Sequence, residues 1–250
     1  MSAMSFSADE RERYARHILL KEVGGPGQQR LKGATVALVG MGGLGAPAAL
    51  YLAAAGVGAL RLIDDDIVSL SNLQRQVLYR SDEIGDQKVA RAEAALGALN
   101  PHVAIETHAA RLNEANAHDL LIGADVVLDG TDDFATRFAV NSACRAMHIP
   151  LVSGAVGRWS GQVSLFQRGG PCYRCLVPET PPDVETCAAV GIVGALTGVI
   201  GSLMALEAIK LIADAGEPLI GRLLIFDGLS GEARTIALPR DPACPVCGHE

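Results

Sequence analysis

The stretch ATVALVGMGGLGAPAALYLAAAGVGALRLID, residues 34–64, constrains the fold more than any other part of the chain. A short β-branched run precedes the glycine-rich turn GMGGLG, and a second apolar run ends at Asp64. The segment between them has Pro47, which is tolerated in a first helical turn, and Gly56, which can end a helix. Strand, glycine turn, helix and strand in this order form the nucleotide-binding unit of open α/β sheets. We therefore predict an α/β fold with a Rossmann-like, mostly parallel sheet flanked by helices.

The rest of the chain predicts further strands of this sheet and then a change to antiparallel strands. The runs VAIETHA and ADVVLDG predict two more strands, and FATRFAVNSACRAMH predicts the helix after them. Beyond residue 150, the segments PLVSGA, GQVSLFQ and RLLIFDGLSGEARTIAL predict antiparallel C-terminal strands, the last of them a hairpin. No interdomain linker is evident. We expect one domain over residues 1–250, with roughly 1–150 as the nucleotide-binding half and 151–250 as a second half.

Charge and hydropathy exclude some classes of partner. A net charge of -7 and a pI near 5.4 argue against a broad basic surface for nucleic acid. Charged residues near the N-terminus argue against a secretory signal, so we expect a cytoplasmic protein. The uncharged stretch between Glu185 and Glu207 is long enough to cross a bilayer, but it lacks flanking basic clusters and an aromatic belt. A buried helix, and no membrane association, is the prediction.

The glycine turn and the acid that follows it indicate a nucleotide. Glycines let the backbone approach a phosphate closely, while the start of the next helix supplies unpaired N–H groups. Asp64 ends the next strand, where an acid accepts hydrogen bonds from ribose hydroxyls. By themselves these residues fit NAD or FAD. The candidate residues of the turn are Gly40, Gly42, Gly43 and Gly45.

Further charges favour a triphosphate over a dinucleotide. Positive and polar side chains follow Asp64 closely, where a triphosphate needs neutralising. Two acids, Asp132 and Asp133, follow another predicted strand and are suited to Mg²⁺, which prefers oxygen ligands and bridges phosphates. Hydride transfer requires neither feature. Each charge alone would be read as a solvated surface residue, so the prediction depends on their convergence at one sheet edge. The side chains after Asp64 are Asn72, Arg75, Gln76 and Lys88.

Four of the six cysteines form two Cys-x-x-Cys pairs. Two such pairs predict a structural zinc site with four thiolate ligands, although either pair alone could be a redox motif. His249 is an alternative ligand, and Cys144 falls in an apolar helix and is predicted to lie in the core. Cys187 is equally compatible with a buried structural thiol and a reactive one. The predicted ligands are Cys172, Cys175, Cys244 and Cys247.

Together these motifs resemble the MoeB/ThiF/HesA family of ubiquitin-activating-type adenylyltransferases along nearly the whole chain. The resemblance implies a homodimer that binds Mg-ATP and the C-terminal Gly-Gly tail of a β-grasp sulfur-carrier protein, with residues 151–250 as the carrier-binding and zinc half. The tail carboxylate would attack the α-phosphate to give an acyl-adenylate and pyrophosphate. The chain ends at CPVCGHE, so we expect a separate sulfur donor for later thiocarboxylate formation. The motifs are GMGGLG, LIDDDIVSLSNLQRQ, Lys88, LDGTDD, PCYRC, TCAAVGIVGALTGVIGSLMALEAIK and CPVCG.

The resemblance also implies roles for single residues. Asp64 would hold the ribose with Asp66 beside it, Asp132 would hold Mg²⁺, and Arg16 in the YAR motif would reach into the partner subunit's site. Cys187 lies where some relatives carry a thiol for sulfur transfer or for a covalent link to the carrier. The expected phosphate contacts are Asn72, Arg75 and Lys88. This chain departs from the family at His17 and Asp133, where relatives often have Gln and Asn.

Several functions remain open on the sequence. The resemblance is greatest to enzymes that activate the small subunit of molybdopterin synthase, and activation of the thiamine sulfur carrier is the alternative. An NAD-dependent oxidoreductase is supported only by the glycine turn and Asp64, and a non-catalytic scaffold would keep the fold alone. We find no Ser-His-Asp or Cys-His constellation. Adenylylation requires none, because a carboxylate is already an ionised nucleophile at neutral pH.

Overall fold

A computed structural model describes residues 5–180 and 191–248 of the chain. The predicted α/β architecture is confirmed, with one sheet that runs through both halves of the chain. The helices are α1 (Ala8–Arg13), α2 (Ala15–Ile18), α3 (Gly24–Gly33), α4 (Gly45–Ala55), α5 (Lys88–Leu99), α6 (Ala117–Leu121), α7 (Phe134–Met147), α8 (Tyr173–Leu176) and α9 (Gly194–Ala213). The strands are β1 (Thr35–Val39), β2 (Ala59–Ile63), β3 (Ala104–His108), β4 (Val126–Asp129), β5 (Leu151–Gly157), β6 (Ser160–Phe166), β7 (Arg222–Asp227) and β8 (Glu232–Ala237).

The eight strands of the described residues are ordered β3-β2-β1-β4-β5-β6-β7-β8. Neighbours from β3 to β5 are parallel, and those from β5 to β8 are antiparallel, as the sequence predicts. In the register, Val39 at the end of β1 lies opposite Ile63 of β2 and Asp129 of β4. The carboxyl ends of these three strands therefore share one edge. The strand order reverses direction at β1, and such a switch point opens a crevice outside the strand ends.

The central parallel strands β1 and β4 are buried on both faces, which explains their largely continuous apolar character. Val36 and Leu38 of β1 pack in one apolar cluster with residues of α4, α5 and α9. The alternate residues Ala37 and Val39 pack in a second cluster with residues of α6 and α7. Since successive side chains of a strand point to opposite faces, β1 needs apolar residues at every position.

Helix α9 is the apolar segment that the sequence marks as a possible membrane span. It is long and apolar enough to cross a bilayer, but half of its apolar window is buried, and it packs against α3, α4, β5 and β6. A methyl group at Gly201 would collide with the Leu44 carbonyl and with Pro47, so this glycine permits the close approach of α9 to α4. The prediction of a helix buried in the protein core is confirmed for this face. Val199 and Leu206 are partly exposed on the rest of the helix.

Candidate functional site

A cavity of about 530 Å³ occupies the crevice outside the carboxyl ends of β1, β2 and β4. It continues past the loop after β4 to β5 and β6. Most of the residues that the sequence assigns to a nucleotide line this one space. They are Gly40, Gly42, Gly43, Asp64, Asp66, Asn72, Arg75, Gln76, Lys88, Asp132 and Asp133.

The four glycines of the turn have different roles. Gly40 has a φ of 87°, a left-handed conformation that favours glycine. A methyl group at Gly45 would overlap the Gly40 carbonyl oxygen, and Gly45 is not among the cavity-lining residues, so it serves the tightness of the turn. Gly43 packs against Thr197 of α9. At Gly42 a methyl group would meet only Gln76, 3.6 Å away, so here the backbone is open to a ligand.

Asp64 follows β2 and is fixed by backbone donors. Its carboxylate accepts hydrogen bonds from the N–H of Met41 in the glycine turn at 2.6 Å and from the N–H of Asp66 at 2.8 Å. Burial raises the pKa of Asp64 above its usual value, and the nearby Lys88 charge offsets only part of this effect. An acid joined to the glycine turn in this way holds the turn and the end of β2 in a fixed relation.

Lys88 opens α5 and brings a cation close to Asp64 and Asp66, two of the three acids after β2. Its side chain is 4% exposed, and Nζ lies 2.8 Å from Oδ2 of Asp66, which is 68% exposed. The backbone N–H of Lys88 also donates to the Asp66 carbonyl. A nearly buried ammonium group at a cavity wall is shielded from water, so its attraction for an anionic ligand is stronger than that of a surface lysine.

Asn72, Arg75 and Gln76 lie on a short 3-10 turn and the residues after it. The side chain of Asn72 accepts the Ser69 N–H at 3.3 Å, and a terminal nitrogen of Arg75 donates to the Ser71 carbonyl at 3.0 Å. Gln76 is buried, and its Oε1 has no hydrogen-bond partner within the described ranges. The turn therefore holds one cation and two amides at the cavity wall.

The adjacent acids after β4 have separate environments. Asp133 caps α7, because its Oδ2 accepts the Thr136 N–H at 3.0 Å and the Thr136 hydroxyl at 2.7 Å. Partial burial would raise the pKa of Asp133, but these hydrogen bonds and the charge of Arg111, 3.4 Å away, lower it. Asp132 is exposed and makes no hydrogen bond or salt bridge with any residue that the structure describes. Asp132 is therefore the more available metal ligand of the two, whereas one oxygen of Asp133 is committed to the helix cap.

Arg137 is a functional candidate that sequence analysis missed. It is 5% exposed and lies 3.9 Å from the buried carboxylate of Asp129. Its guanidinium donates to the Thr131 carbonyl, to the Gly154 carbonyl at 2.7 Å and to the Ser153 hydroxyl at 3.1 Å. Burial would lower the pKa of Arg137, but Asp129 raises it above its usual value. The sequence offers only an arginine on a predicted helix, and tertiary contacts alone identify its position.

The far end of the cavity belongs to the second half of the chain. Gln162 of β6, Tyr173 of α8 and Thr197 of α9 line it, and none of them was a sequence candidate. The Thr197 hydroxyl donates to the Arg75 carbonyl at 3.2 Å, so α9 supports the turn that carries Arg75. A polar residue within the first two turns of α9, which are otherwise apolar, is the one signal that could have singled out Thr197.

The two Cys-x-x-Cys pairs meet, although they are far apart in the sequence. All four sulfur atoms lie within 4.8 Å of one another, with 3.6 Å between Cys172 and Cys244 and 3.3 Å between Cys175 and Cys247. A tetrahedral zinc ion with Zn–S bonds of about 2.3 Å sets sulfur–sulfur edges of about 3.8 Å. A disulfide requires about 2.05 Å, so the cluster fits a metal ion such as zinc and not a pair of disulfides.

One sequence candidate lies outside these two centres. Arg16 is exposed on α2 and is not among the residues lining the cavity. Cys187 and His249 lie outside the described residues. The departure at His17 has a structural role, since its Nδ1 lies 3.1 Å from Oε1 of the buried Gln28. Cys144 is buried in the core as predicted.

Comparison with known proteins gives matches over nearly the whole chain. The sequence model of the ThiF family matches residues 14–246. The SAMP-activating enzyme E1 of Haloferax volcanii is 47% identical over 248 residues, covering 98% of this chain and 92% of that protein. The sulfur carrier protein adenylyltransferase of Thermus thermophilus is 45% identical, covering 99% and 94%. The adenylyltransferase and sulfurtransferase MOCS3 of Anopheles gambiae is 49% identical, but the match spans 56% of that longer protein.

Solved structures share the fold. A crystal structure of E. coli MccB with ATP superimposes with a TM-score of 0.81 at 25% identity, covering 94% of this chain and 74% of that one. A crystal structure of PaaA gives a TM-score of 0.82 at 27% identity, covering 96% and 77%. The sheet with a parallel core and antiparallel C-terminal strands is thus common to this chain and to these proteins.

Proposed function

Because the chain belongs to the ThiF family, we propose that it adenylylates the C-terminal Gly-Gly carboxylate of a β-grasp sulfur-carrier protein with Mg-ATP. One observation carries this proposal. The glycine turn, the acid, the cations and the available Asp132 line a single cavity at the switch point, and this cavity continues into the second half of the chain. Such a space has room for a nucleotide at one end and an extended peptide tail at the other.

The reaction requires alignment and charge neutralisation more than proton transfer. A carboxylate oxygen of the tail attacks the α-phosphorus of ATP, the bond from this phosphorus to the bridging oxygen breaks, and pyrophosphate leaves with that oxygen. The tail carboxylate is ionised at neutral pH, so no general base has to activate it. In-line placement and cations beside the phosphates supply the rate enhancement.

The residue assignments are those that the family resemblance implies, and the contacts in the cavity support them. Asp64 accepts hydrogen bonds from the ribose, and Asp66 orients Lys88 through their 2.8 Å ion pair. Arg75 and Lys88 neutralise the phosphates, with Asn72 as an additional hydrogen-bond donor. Gly40, Gly42 and Gly43 line the cavity and would face the nucleotide. Asp132 would hold Mg²⁺, which would supply a Lewis acid that offsets negative charge on the phosphates.

Our finer proposal names the carrier as the small subunit of molybdopterin synthase. Its support is the sequence resemblance through SNLQRQ and the paired cysteines, whereas the names of the relatives support a sulfur carrier in general. After adenylylation, sulfur from a separate donor replaces AMP to give the thiocarboxylate. The cysteine cluster holds a structural zinc ion in this proposal. The thiamine sulfur carrier is the alternative substrate.

Pyrophosphate exchange tests both levels of the proposal. The protein is incubated with ATP, Mg²⁺ and labelled pyrophosphate, and with either the molybdopterin or the thiamine carrier. We expect label to enter ATP only when a carrier with an intact Gly-Gly tail is present, and faster with the molybdopterin carrier. Faster exchange with the thiamine carrier would reverse the finer assignment. No exchange with any Gly-Gly carrier would overturn the function.

Arg16 supports a homodimeric enzyme. It is exposed outside its own cavity, and its helix is anchored because the hydroxyl of buried Tyr14 accepts a hydrogen bond from Asn100 at 2.9 Å. The adjacent Leu19 and Leu20 are 75% and 50% exposed, as expected for an interface. In the proposed dimer Arg16 acts in the partner subunit's site.

Subunit mixing tests this arrangement. The variants Arg16→Ala and Arg75→Ala should each lose exchange. Because half of the re-formed dimers carry one intact site, an equal mixture should recover about a quarter of the wild-type activity. No recovery, in a mixture shown to exchange subunits, would place Arg16 in its own subunit's site or outside catalysis.

A further inference from the structure

The buried side of α7 carries two polar residues that reach different functional centres. Arg137 and Asn141 are four residues apart, so they lie on the same face of the helix, one turn apart. They are 5% and 1% exposed. Buried polar groups are costly unless they are hydrogen-bonded, so their contacts indicate what each of them holds in place.

Arg137 fixes the loop that presents Asp132. It donates to the carbonyl of Thr131, the residue just before Asp132, and also to the carbonyl of Gly154 on β5. These bonds set the orientation of the peptide group from which Asp132 projects. A lysine cannot reproduce both, because its ammonium group lacks the planar fork of a guanidinium.

Asn141 contacts the cysteine cluster from outside both Cys-x-x-Cys pairs. Its Oδ1 accepts the Tyr173 N–H at 2.8 Å, which fixes the orientation of the amide. Its Nδ2 therefore points to the other side, where it donates to Sγ of Cys172 at 3.7 Å. An N–H donor beside a thiolate offsets part of the negative charge of a tetrathiolate site.

Tyr173 closes the connection between the two residues. Its backbone is held by Asn141, it follows Cys172 directly, and its ring lies 5.7 Å from the Arg137 guanidinium. With a metal ion bound in the cluster, Cys172 would be fixed and with it the position of Tyr173. The ring then restricts the guanidinium that holds the Thr131 carbonyl.

On the basis of the proposed function, we propose that Asn141 and Arg137 are positioning residues through which metal occupancy of the cysteine cluster sets the affinity of Asp132 for Mg²⁺. Two energetically linked sites affect each other reciprocally. Mg-ATP should therefore also strengthen zinc retention. If Arg137 and Asn141 only packed in the core, replacing them would lower the stability of the protein but would change neither the zinc affinity nor the Mg²⁺ affinity.

The experiment uses the full zinc-loaded chain and four variants. Arg137→Lys removes the paired hydrogen bonds to the Thr131 and Gly154 carbonyls, and Asn141→Leu removes those to Cys172 and Tyr173. Asn141→Asp keeps the acceptor for the Tyr173 N–H but cannot donate to Cys172. The control is Arg145→Lys, since Arg145 is also a buried arginine of α7, 7% exposed, and donates to the Gln167 carbonyl at 2.6 Å. The readouts are the Mg²⁺ concentration that half-saturates binding of a fluorescent ATP analogue, and the rate of zinc transfer to a chromogenic chelator with and without Mg-ATP.

We expect Arg137→Lys to raise the half-saturating Mg²⁺ concentration about tenfold and to abolish the protection of zinc by saturating Mg-ATP. Both Asn141 variants should release zinc about tenfold faster and raise the half-saturating Mg²⁺ concentration, whereas the control should change neither. An unchanged Mg²⁺ response in Arg137→Lys, or in whichever Asn141 variant folds, would overturn the link. If the wild-type protein bound no ATP analogue, the proposed function itself would fall and the link with it.

Discussion

Replacing Lys88 with methionine should remove most of the adenylylation activity while leaving the fold intact. Methionine keeps the apolar stem of the side chain and removes only its charge. In the structure this charge is almost completely shielded from water and lies at the cavity wall, paired with Asp66. Loss of one preorganised contact to a reacting group typically costs about 10²–10³ in rate, or about 3–4 kcal/mol. We expect carrier-dependent pyrophosphate exchange to fall by about this factor.

The same substitution should alter the pH dependence of nucleotide binding. Burial raises the pKa of Asp64, and Lys88 is the main charge that opposes this effect. Without Lys88 the pKa of Asp64 should rise further. The ionised carboxylate accepts the ribose hydroxyls, so binding is present above this pKa and is lost as pH falls through it. In Lys88→Met the loss should begin at a higher pH, as measured by titration with a fluorescent ATP analogue.

Lys32→Met is the matched control for this prediction. Lys32 is also ion-paired to a buried acid, with Nζ 2.7 Å from Glu10, but it does not line the cavity. The Lys32→Met variant should retain pyrophosphate exchange and the wild-type pH dependence of nucleotide binding. If Lys88→Met behaved like Lys32→Met in both assays, the electrostatic role of Lys88 would be wrong.

Three further outcomes follow from the contacts. Asp132→Asn should lower the rate of pyrophosphate exchange by about 10²-fold or more at every Mg²⁺ concentration. Asp133→Asn should exchange at nearly the wild-type rate, because Asn also caps helices. Equal losses in the two variants would contradict the separate roles of the two acids. Cys244→Ser should lose the bound zinc and have a lower thermal unfolding midpoint, as checked by metal analysis and calorimetry. Full zinc content in this variant would refute the assignment of the cysteine cluster as the zinc site. Gly56→Ala should lower the free energy of unfolding by about 1–3 kcal/mol, because Gly56 has a φ of 78° and its Cα hydrogens face the Tyr14 ring. An unchanged urea unfolding curve would contradict this.

Local sequence patterns determined most of the fold. The glycine turn between two apolar runs predicted β1, α4 and β2, and the change in pattern after residue 150 predicted the antiparallel strands. These predictions succeed because strand burial, helix capping and turn geometry depend on residues close together in the chain. The same locality placed Asp64, Lys88 and Asp132 at strand or helix ends that meet at one sheet edge.

Only the tertiary structure decided what each of these residues contacts and which of them share a site. Asp132 and Asp133 are identical in type and adjacent in sequence, and both line the cavity, yet only Asp133 caps a helix, because the direction of each side chain depends on where α7 begins. The Cys-x-x-Cys pairs predicted a metal site by composition, but their meeting depends on the C-terminal segment returning to α8. Arg137 and Asn141 left no sequence signal, since a buried polar residue is defined by partners that are distant in the chain. The sequence by itself thus determined the elements and the chemistry they carry, whereas long-range packing determined which side chains share a site.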